Sequence, residues 1–161
     1  MTKSSFAEMP CSLGQALDVI GEWWSMLIIR DLMVFGGSRR FEQLREGLGI
    51  SRNILTERLR KLEEADVIRR QPVTEGARRQ AYQLTAKGWE LMPVMLAMVQ
   101  WSERWRPDPE SIQLRFVDRR DERPLAPIAV YSHDGRSLGP DDIEPLPNTP
   151  EASLYLEKYA S

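Results

Sequence analysis

The sequence lacks the residues on which several classes of protein depend. Its 161 residues include one cysteine, Cys11, and one histidine, His133. A lone cysteine cannot form a disulfide within the chain, which is typical of proteins in a reducing compartment. A structural zinc site needs four converging cysteine or histidine ligands, so no metal site is expected. Because paired-carboxylate, P-loop and dinucleotide-binding motifs are also missing, we expect neither a catalytic residue nor a bound cofactor.

Long apolar runs and a secretory leader are missing as well. The densest apolar stretches, around residues 26–35 and 91–101, are too short or too interrupted to cross a hydrocarbon core of roughly 30 Å. The amino terminus has one lysine and no continuous apolar segment, so we expect no signal peptide, a cytoplasmic location and no membrane partner. A hydrophobic share of 42% with 29% charged residues is typical of a folded globular chain.

An excess of either charge is missing from the whole chain, but its parts are unevenly charged. The net charge is −2, yet residues 38–88 carry 12 Arg or Lys against 7 Asp or Glu. Residues 106–161 show the opposite balance, with 7 basic against 11 acidic residues. Attraction to a polyanion depends on local potential, so the middle segment is a candidate nucleic-acid surface. Charge alone leaves open a plain solvated helical surface.

Hydrophobic periodicity predicts a series of helices in the first half of the chain. Apolar residues recur at helical spacing from Leu13 to Phe35, with Gly21 separating two helices. A further helix is predicted within residues 39–49, ended by its glycines. The next helix begins after Ser51, a good N-cap, and runs to about residue 65.

The helix after Ser51 has a predicted core face and one charged residue beside it. The expected core residues are Ile54, Leu55, Leu59 and Leu62. Arg58 lies near this apolar sector on a helical wheel. We therefore expect Arg58 to form an intramolecular ion pair, for which a glutamate of the preceding helix is one candidate partner.

A hairpin and a long apolar helix are predicted next. Residues 66–74 and 78–85 are rich in β-branched or aromatic residues and predict two antiparallel strands. Thr85 is expected to cap a helix that reaches residue 105 and bends at Pro93. This helix is apolar on more than one face, which indicates a second protein surface against it. That surface is a second copy of the chain or the C-terminal segment of the same chain.

The composition changes after residue 105. Eight prolines between positions 107 and 150 break the chain into short pieces. Residues 112–119 and 125–132 have strand-like alternation, and residues 152–160 predict a short helix. We predict a mainly α domain with a small β-hairpin wing, of the α+β class, over residues 1–105. Residues 106–161 are predicted to form an acidic, proline-rich, β-containing extension.

The predicted order of helix, tight turn, helix and hairpin is that of a winged helix-turn-helix. In such folds the N-terminal residues of the second helix meet base edges in the major groove. Asparagine and arginine can form bidentate bonds with adenine and guanine, and a threonine methyl can touch the thymine methyl. The predicted DNA-reading residues are Ser51, Arg52, Asn53, Thr56 and Arg60.

Four further arginines are candidate contacts to the DNA backbone. Arg39 and Arg40 lie at the start of the helix predicted to cross the backbone and are expected to contact phosphates. Arg78 and Arg79 lie at the tip of the predicted hairpin. They are expected to reach a minor groove or its flanking phosphates.

Several motifs occur together in an order that resembles one protein family. They are Cys11 with Val19-Ile20-Gly21 and Trp24, Arg40-Phe41 with Leu44, the pattern G-I-S-x-x-x-L-T-x-x-L-x-x-L-E from Gly49 to Glu63, the pattern Y-x-L-T-x-x-G from Tyr82 to Gly88, Pro93-Val94 and Trp101. Together they resemble the HxlR-type winged helix-turn-helix transcriptional regulators, relatives of the MarR type, over residues 11–105.

The resemblance implies a sequence-specific, DNA-binding transcriptional regulator that acts as a homodimer on a roughly palindromic operator. The dimer would form from the amino-terminal helices and the helix after the wing. The interface candidates are Leu17, Ile20, Trp23, Trp24, Met95, Met98, Trp101 and Trp105. We expect a repressor, because occupying promoter DNA is enough to block transcription.

The resemblance also raises the question of what the regulator senses. Some members of the family detect electrophiles or oxidants through a cysteine just before the first helix, and Cys11 matches that position. The usual following proline is Ser12 here, and an inert cysteine is the alternative. A small molecule bound between dimer helices is a second route. It would use aromatic and apolar residues that can equally be plain core, namely Trp23, Trp24, Met26 and Trp101.

A winged helix used only for protein contact is the rival interpretation. Its basic face would then bind an acidic partner instead of DNA. Binding through several phosphates weakens steeply with salt, and a DNA reader keeps a sequence preference at fixed salt. Salt dependence and sequence preference therefore separate the two functions.

Overall fold

The structure, a computed structural model, describes Ser5 and residues 11–73, 79–106 and 114–159. Contacts divide the chain into two compact units, Met1–Met95 and Leu96–Ser161. The predicted division after residue 105 remains a prediction. Helices and strands of the first unit are α1 Ser12–Ile20, α2 Trp23–Val34, β1 Ser38–Arg39, α3 Phe41–Leu48, α4 Arg52–Glu64, β2 Ile68–Pro72, β3 Gln80–Leu84 and α5 Ala86–Trp89.

The second unit begins inside a helix. Helix α6 spans Met92–Arg104, and it is followed by β4 Val130–Tyr131, β5 Ser137–Leu138, a 3-10 turn at Pro140–Asp142 and α7 Pro150–Tyr159. The mainly helical class with a small antiparallel sheet is confirmed. No helix in the described part of the chain combines the length and apolar character needed to span a bilayer.

Helix α2 is central to the core of the first unit. Its residues Ile28, Ile29 and Leu32 have no exposed surface. Buried residues from α3, α4 and the sheet join the same cluster, namely Leu44, Leu55, Leu59, Leu62, Ile68 and Leu84. Burying each such side chain contributes on the order of 1.5–3 kcal/mol. This cluster fixes α3 and α4 relative to each other and to the strands.

One predicted core residue of α4 is exposed. Ile54 keeps 40% of its surface, whereas Leu55, Leu59 and Leu62 are buried. Successive helical residues are rotated by about 100°, so Ile54 lies beside the stripe that the three leucines form. The prediction that Ile54 faces the core was wrong.

The turn between α3 and α4 depends on one glycine. Gly49 has φ +64°, a left-handed conformation that glycine adopts without steric cost. Its amide and that of Ile50 donate to the last carbonyls of α3, as is common where a helix ends in this way. The amide of Ile54 donates to the Ser51 side-chain oxygen at 3.4 Å, so Ser51 is the N-cap predicted for α4.

The chain before α3 differs from the prediction. Arg39 lies in the short strand β1, and Arg40 is the N-cap residue of α3, so the helix begins at Phe41. Strand β1 pairs with β3 through Ser38 opposite Gln83 and Arg39 opposite Tyr82. The sheet order is β1-β3-β2. Two residues carry too little periodicity to predict a strand, and pairing with β3 selects it.

Strands β2 and β3 confirm the predicted hairpin. They are antiparallel, with Ile68 opposite Leu84 and Arg70 opposite Tyr82. Ala81, Tyr82 and Leu84 of β3 are buried, whereas Arg69, Arg70 and Pro72 of β2 are exposed, so β3 is the more covered of the two strands. Residues 74–78, which include the predicted tip, lie outside the described residues.

The apolar segment after the wing forms two helices rather than one bent helix. Helix α5 ends at Trp89, and α6 begins at Met92. Thr85 caps α5 as predicted, since its side-chain oxygen accepts from the Gly88 amide at 3.1 Å. Pro93 falls in the first turn of α6, where its missing N–H costs no helical hydrogen bond. Pro93 therefore starts a helix instead of bending one.

Gly88 permits a close contact between α5 and the chain before β2. A Cβ atom at this position would lie 2.2 Å from the Val67 carbonyl oxygen and 2.9 Å from a Leu84 methyl carbon. We expect Gly88→Ala to lower the free energy of unfolding by at least about 2 kcal/mol, despite alanine's better helix propensity. Gly47→Ala is the control, because its Cβ would meet only Asp31 at 3.8 Å. Urea denaturation should show Gly47→Ala neutral or stabilised by up to about 1 kcal/mol; equal effects would contradict the contact.

Gln100 holds the C-terminal chain against α6 within the second unit. Its Nε2 donates to the Ala126 carbonyl at 3.0 Å, and its Oε1 accepts from the Ile128 amide at 2.8 Å. Strands β4 and β5, of two residues each, pair as an antiparallel hairpin whose loop contains Gly135. The strand expected over residues 112–119 is reduced, among the described residues, to a single bridge between Val117 and Pro124. The helix predicted near the C-terminus is present as α7.

Candidate nucleic-acid interface

Helices α3 and α4 and the β2–β3 hairpin form a winged helix-turn-helix. One face of α4 is buried, and its first turn is open to solvent. Ser51, Arg52, Asn53 and Thr56 are all exposed, while Leu55 and Leu59 between and beyond them are buried. The polar residues therefore lie together on the outer surface at the start of the second helix, where this fold meets base edges.

Asn53 and Thr56 present different groups from this surface. Among the described residues, the Asn53 side chain has no hydrogen-bond partner, so both ends of its amide are free. The Thr56 hydroxyl donates to the Arg52 carbonyl at 2.8 Å, one turn back along the helix. The methyl group of Thr56 is free for an apolar contact, and the hydroxyl oxygen can still accept a hydrogen bond. These groups suit an adenine edge and a thymine methyl respectively.

Arg52 is held by residues of α3. Its Nη2 pairs with Glu42 Oε1, and its guanidinium carbon lies 5.0 Å from the centre of the Phe41 ring. Glu42 also accepts from Arg45 Nε at 2.6 Å. The pKa of Glu42 lies below its ordinary value. The main cause is the hydrogen bond from Arg45, and the hydrogen bond from Arg52 also lowers it. Sequence reasoning missed Glu42 and Phe41 as neighbours of Arg52.

The arginines assigned to phosphate contact lie at the start of α3. Arg40 is exposed, and its backbone amide donates to Gln43 Oε1 at 2.9 Å. Arg39 is half-buried in β1, with its guanidinium carbon 4.4 Å from the centre of the Phe35 ring. Both residues belong to the connection that leads into α3. Arg40 has the more accessible charge of the two.

Two other arginines of α4 are occupied by ion pairs. Arg60 pairs with Glu64 on the exposed side of the helix. Arg58 is buried and its Nη2 lies 2.7 Å from Glu57, with Glu22 at 3.9 Å from Nη1. The ion pair predicted for Arg58 is present, but its partners belong to α4 and the start of α2. No glutamate of α3 is involved.

The wing adds exposed basic residues beside α4. Arg79, just before β3, is exposed, whereas Arg78 lies outside the described residues. Arg70 is paired with Glu63 at 2.8 Å, which raises the pKa of the arginine. Arg69 is exposed, and among the described residues it has no ion-pair partner. Strand alternation places Arg69 on the opposite face from Ile68. The sequence could therefore have predicted Arg69 as an exposed basic residue of the wing, and sequence reasoning missed it.

The candidate dimer residues fall into exposed and covered groups. The exposed ones are Leu17, Trp23, Met98, Trp101 and Trp105. Ile20 and Trp24 are half-buried and pack against the core cluster. Met95 keeps only 6% of its surface exposed, so little of its side chain is left for contact with a second chain. Residues spaced by three on α6 share a face, which places Met98 and Trp101 together, and Trp105 directly follows the last residue of the helix.

A different face of α6 contacts the C-terminal chain. Leu96, Val99, Gln100 and Glu103 line a cavity of about 290 Å³ together with residues 115–117 and 124–125. The C-terminal chain thus covers one face of the second half of α6. Met98, Trp101 and Trp105 remain exposed. The C-terminal segment therefore covers part of the broad apolar surface of this helix, and a second copy of the chain against the rest stays a prediction.

Cys11 is half-buried and is the N-cap residue of α1. Its side chain makes no capping hydrogen bond with the first turn of that helix. Groups of three or more histidine, cysteine, aspartate or glutamate side chains suited to a metal ion are not found among the described residues.

A family model described as HxlR-like helix-turn-helix matches residues 19–110, more than half of the sequence. The chain belongs to the HxlR-like helix-turn-helix family. Over 136 residues it is 33% identical to an uncharacterised HTH-type transcriptional regulator of Mycobacterium tuberculosis, covering 84% of this chain and 85% of that relative. Over 91 residues it is 35% identical to the HTH-type transcriptional regulator YodB of Bacillus subtilis, covering 56% of this chain and 80% of YodB.

Solved structures agree with membership of the HxlR-like family. The crystal structure of PA1607, a proposed transcription factor, matches with a TM-score of 0.81 and 36% identity, covering 89% of this chain and 99% of PA1607. The redox regulator HypR in its oxidised form matches with a TM-score of 0.52 and 30% identity, covering 61% of this chain and all of HypR. This HxlR-like chain is an HTH-type transcriptional regulator, and its match to PA1607 covers more of the chain than the family model does.

Proposed function

We propose that this protein is a homodimeric repressor that recognises a pseudo-palindromic operator through the start of α4. The observation that carries the proposal is the exposed first turn of α4, where Arg52, Asn53 and Thr56 present polar and methyl groups beside a fully buried leucine face. In a dimer the two α4 helices would enter successive major grooves about 34 Å apart. Repression would follow from occupying promoter DNA in the cytoplasm.

Fluorescence anisotropy with duplexes at two salt concentrations tests this function. We expect affinity for every duplex to fall steeply with salt, because phosphate contacts release counterions. At fixed salt, a duplex with the preferred half-sites should bind at least about 1,000-fold more tightly than a scrambled one. Binding to duplexes without any sequence preference would favour the rival function, in which the basic face binds an acidic protein.

Assembly as a homodimer is supported by the exposed face of α6. Met98, Trp101 and Trp105 keep 56, 68 and 72% of their surface exposed in a single chain. Large aromatic side chains at such exposure are typical of interface cores. Trp23, also exposed, packs its ring 5.3 Å from that of Trp24 and is the candidate contribution from the amino-terminal helices.

The wing arginines are proposed to add affinity without adding sequence preference. Arg79→Ala should weaken binding to all duplexes by a similar factor of about three to ten, and lower the salt slope by about 1 per protomer. Arg78→Ala should behave in the same way. Anisotropy titrations of two unrelated duplexes measure the effect. Arg119→Ala, an exposed arginine of the C-terminal unit, is the control and should change neither quantity; a changed sequence preference in Arg79→Ala would contradict the assignment.

A redox or small-molecule signal is proposed to control DNA binding. Structures similar to this chain include YodB bound to a quinone and HypR in oxidised and reduced forms. Cys11 would be the sensor, because its thiol is half-buried next to the first turn of α1. A cysteine beside a helix N-terminus can gain reactivity. A small molecule bound between dimer helices is the alternative route.

Cys11→Ser separates these two routes. We expect a quinone or diamide to change the operator affinity of the wild type at least tenfold, and to leave that of Cys11→Ser unchanged. Mass spectrometry should find the adduct or oxidised thiol on Cys11. If the wild type reacts at Cys11 but keeps its operator affinity, Cys11 does not regulate DNA binding. A non-covalent ligand would then be the remaining candidate signal.

A further inference from the structure

The carboxylate of Glu42 connects the two helices of the helix-turn-helix. Its Oε1 pairs with Arg52 Nη2 of α4, and its Oε2 accepts from Arg45 Nε at 2.6 Å. The Phe41 ring centre lies 5.0 Å from the Arg52 guanidinium carbon. The guanidinium is thus held on two sides by α3, by a negative charge and by an aromatic face.

This arrangement restrains the side chain that is proposed to read a base. A free arginine side chain samples many rotamers, and that freedom is lost when the planar guanidinium makes two parallel bonds to guanine. A restrained guanidinium has already lost part of that freedom. The ion pair itself is exposed, with side-chain exposures of 64% for Arg52 and 49% for Glu42, so it contributes little to the stability of the fold.

We propose that Glu42 is a positioning residue for DNA recognition that acts through Arg52 and sharpens the choice between base sequences. The inference rests on the proposed function of α4. Glu42 keeps the guanidinium in one orientation beside the Phe41 ring. It also competes with phosphates for the same guanidinium, which lowers affinity for duplexes that lack the matching base.

Removing Glu42 should therefore have two opposite effects. Glu42→Gln keeps the size of the side chain and removes its charge. Affinity for a scrambled duplex should rise, because Arg52 becomes free to bind phosphate and one negative charge near the polyanion is lost. The ratio of affinities for preferred and scrambled duplexes should fall roughly three- to tenfold. A residue needed only for folding would weaken both duplexes together.

Glu46→Gln is the matched control on the same helix. Glu46 carries the same charge, its side chain is 70% exposed, and its contact with Arg45 is longer, at 3.4 Å. A general charge effect would raise the affinity of Glu46→Gln and of Glu42→Gln for scrambled DNA alike. Positioning of Arg52 predicts a loss of sequence preference only in Glu42→Gln.

A double-mutant cycle with Arg52 completes the test. Anisotropy titrations with the preferred duplex and a scrambled duplex would compare wild type, Glu42→Gln, Glu46→Gln, Arg52→Ala and the double variant. We expect Glu42→Gln to change the preference in the wild-type background and to add nothing once Arg52 is alanine. Equal sequence preferences in Glu42→Gln and Glu46→Gln would overturn this inference and leave the proposed function standing. The same holds if Glu42→Gln still changes the sequence preference when Arg52 is alanine. A wild type without sequence preference would overturn both this inference and the proposed function.

Discussion

We expect Trp101→Asp to convert the proposed homodimer to a monomer and to weaken operator binding at least about 100-fold. Trp101 is 68% exposed in a single chain, on the α6 face that also presents Met98, and the exposed Trp105 directly follows the helix. A charge placed in an apolar two-fold contact is unfavourable in both protomers at once. Without the dimer, the second half-site loses the effective concentration that links it to the first, which is worth a factor of about 10² to 10⁴.

Light scattering measures the oligomeric state of this variant, and anisotropy measures its affinity. Leu146→Asp is the control, since Leu146 is 78% exposed in the C-terminal unit but lies outside the proposed interface. It should remain a dimer with unchanged affinity. A Trp101→Asp protein that stays dimeric would place the interface elsewhere, and a Leu146→Asp protein that becomes monomeric would place it around Leu146.

Asn53→Ala removes most of the discrimination at one base pair of each half-site. The Asn53 amide is exposed, and no other described residue competes for it. A bidentate contact to adenine is worth about 1–3 kcal/mol of discrimination, so the preference for that base should fall about tenfold or more in each half-site. Affinity for scrambled DNA should change little, because no charge is lost.

Arg52→Ala should lower the preference at a neighbouring position, and it should also weaken general affinity because it removes a charge. Binding-site selections with each variant would show at which position of the consensus the base preference is lost. Asn148→Ala, which removes an exposed amide in the C-terminal unit, is the matched control and should keep the wild-type consensus. A consensus that Asn53→Ala leaves intact would remove Asn53 from the reading surface.

Local sequence signals predicted the elements that form the DNA-binding surface. Ser51 as an N-cap and Gly49 at the preceding turn set the start of α4, because both depend on neighbouring backbone groups only. The β2–β3 hairpin followed from two short segments rich in β-branched or aromatic residues. The order of these elements predicted the winged helix-turn-helix, and the shared motifs predicted the HxlR-like family, which the family match confirms.

The features that sequence reasoning missed depend on contacts between distant residues. Glu42 and Arg52 are ten positions apart across a turn, so no helical periodicity relates them. The two-residue strand β1 exists because β3 offers it a partner. Met95 lies among apolar neighbours on every side in the sequence, and only packing separates its buried position from the exposed Met98. In each case contacts between residues distant in the sequence determine the pairing, the strand or the burial, and the local sequence pattern does not.

The most direct test of the central claim is selection of bound duplexes from a random pool, using the full chain. If the first turns of two α4 helices read base edges in a symmetric dimer, the selected sequences contain two half-sites related by a two-fold axis, with centres one helical turn apart. In a parallel selection with Asn53→Ala, we expect the base preference at one position of each half-site to disappear. A pool that gains no consensus, or a single unrepeated half-site that Asn53→Ala leaves unchanged, would contradict the account.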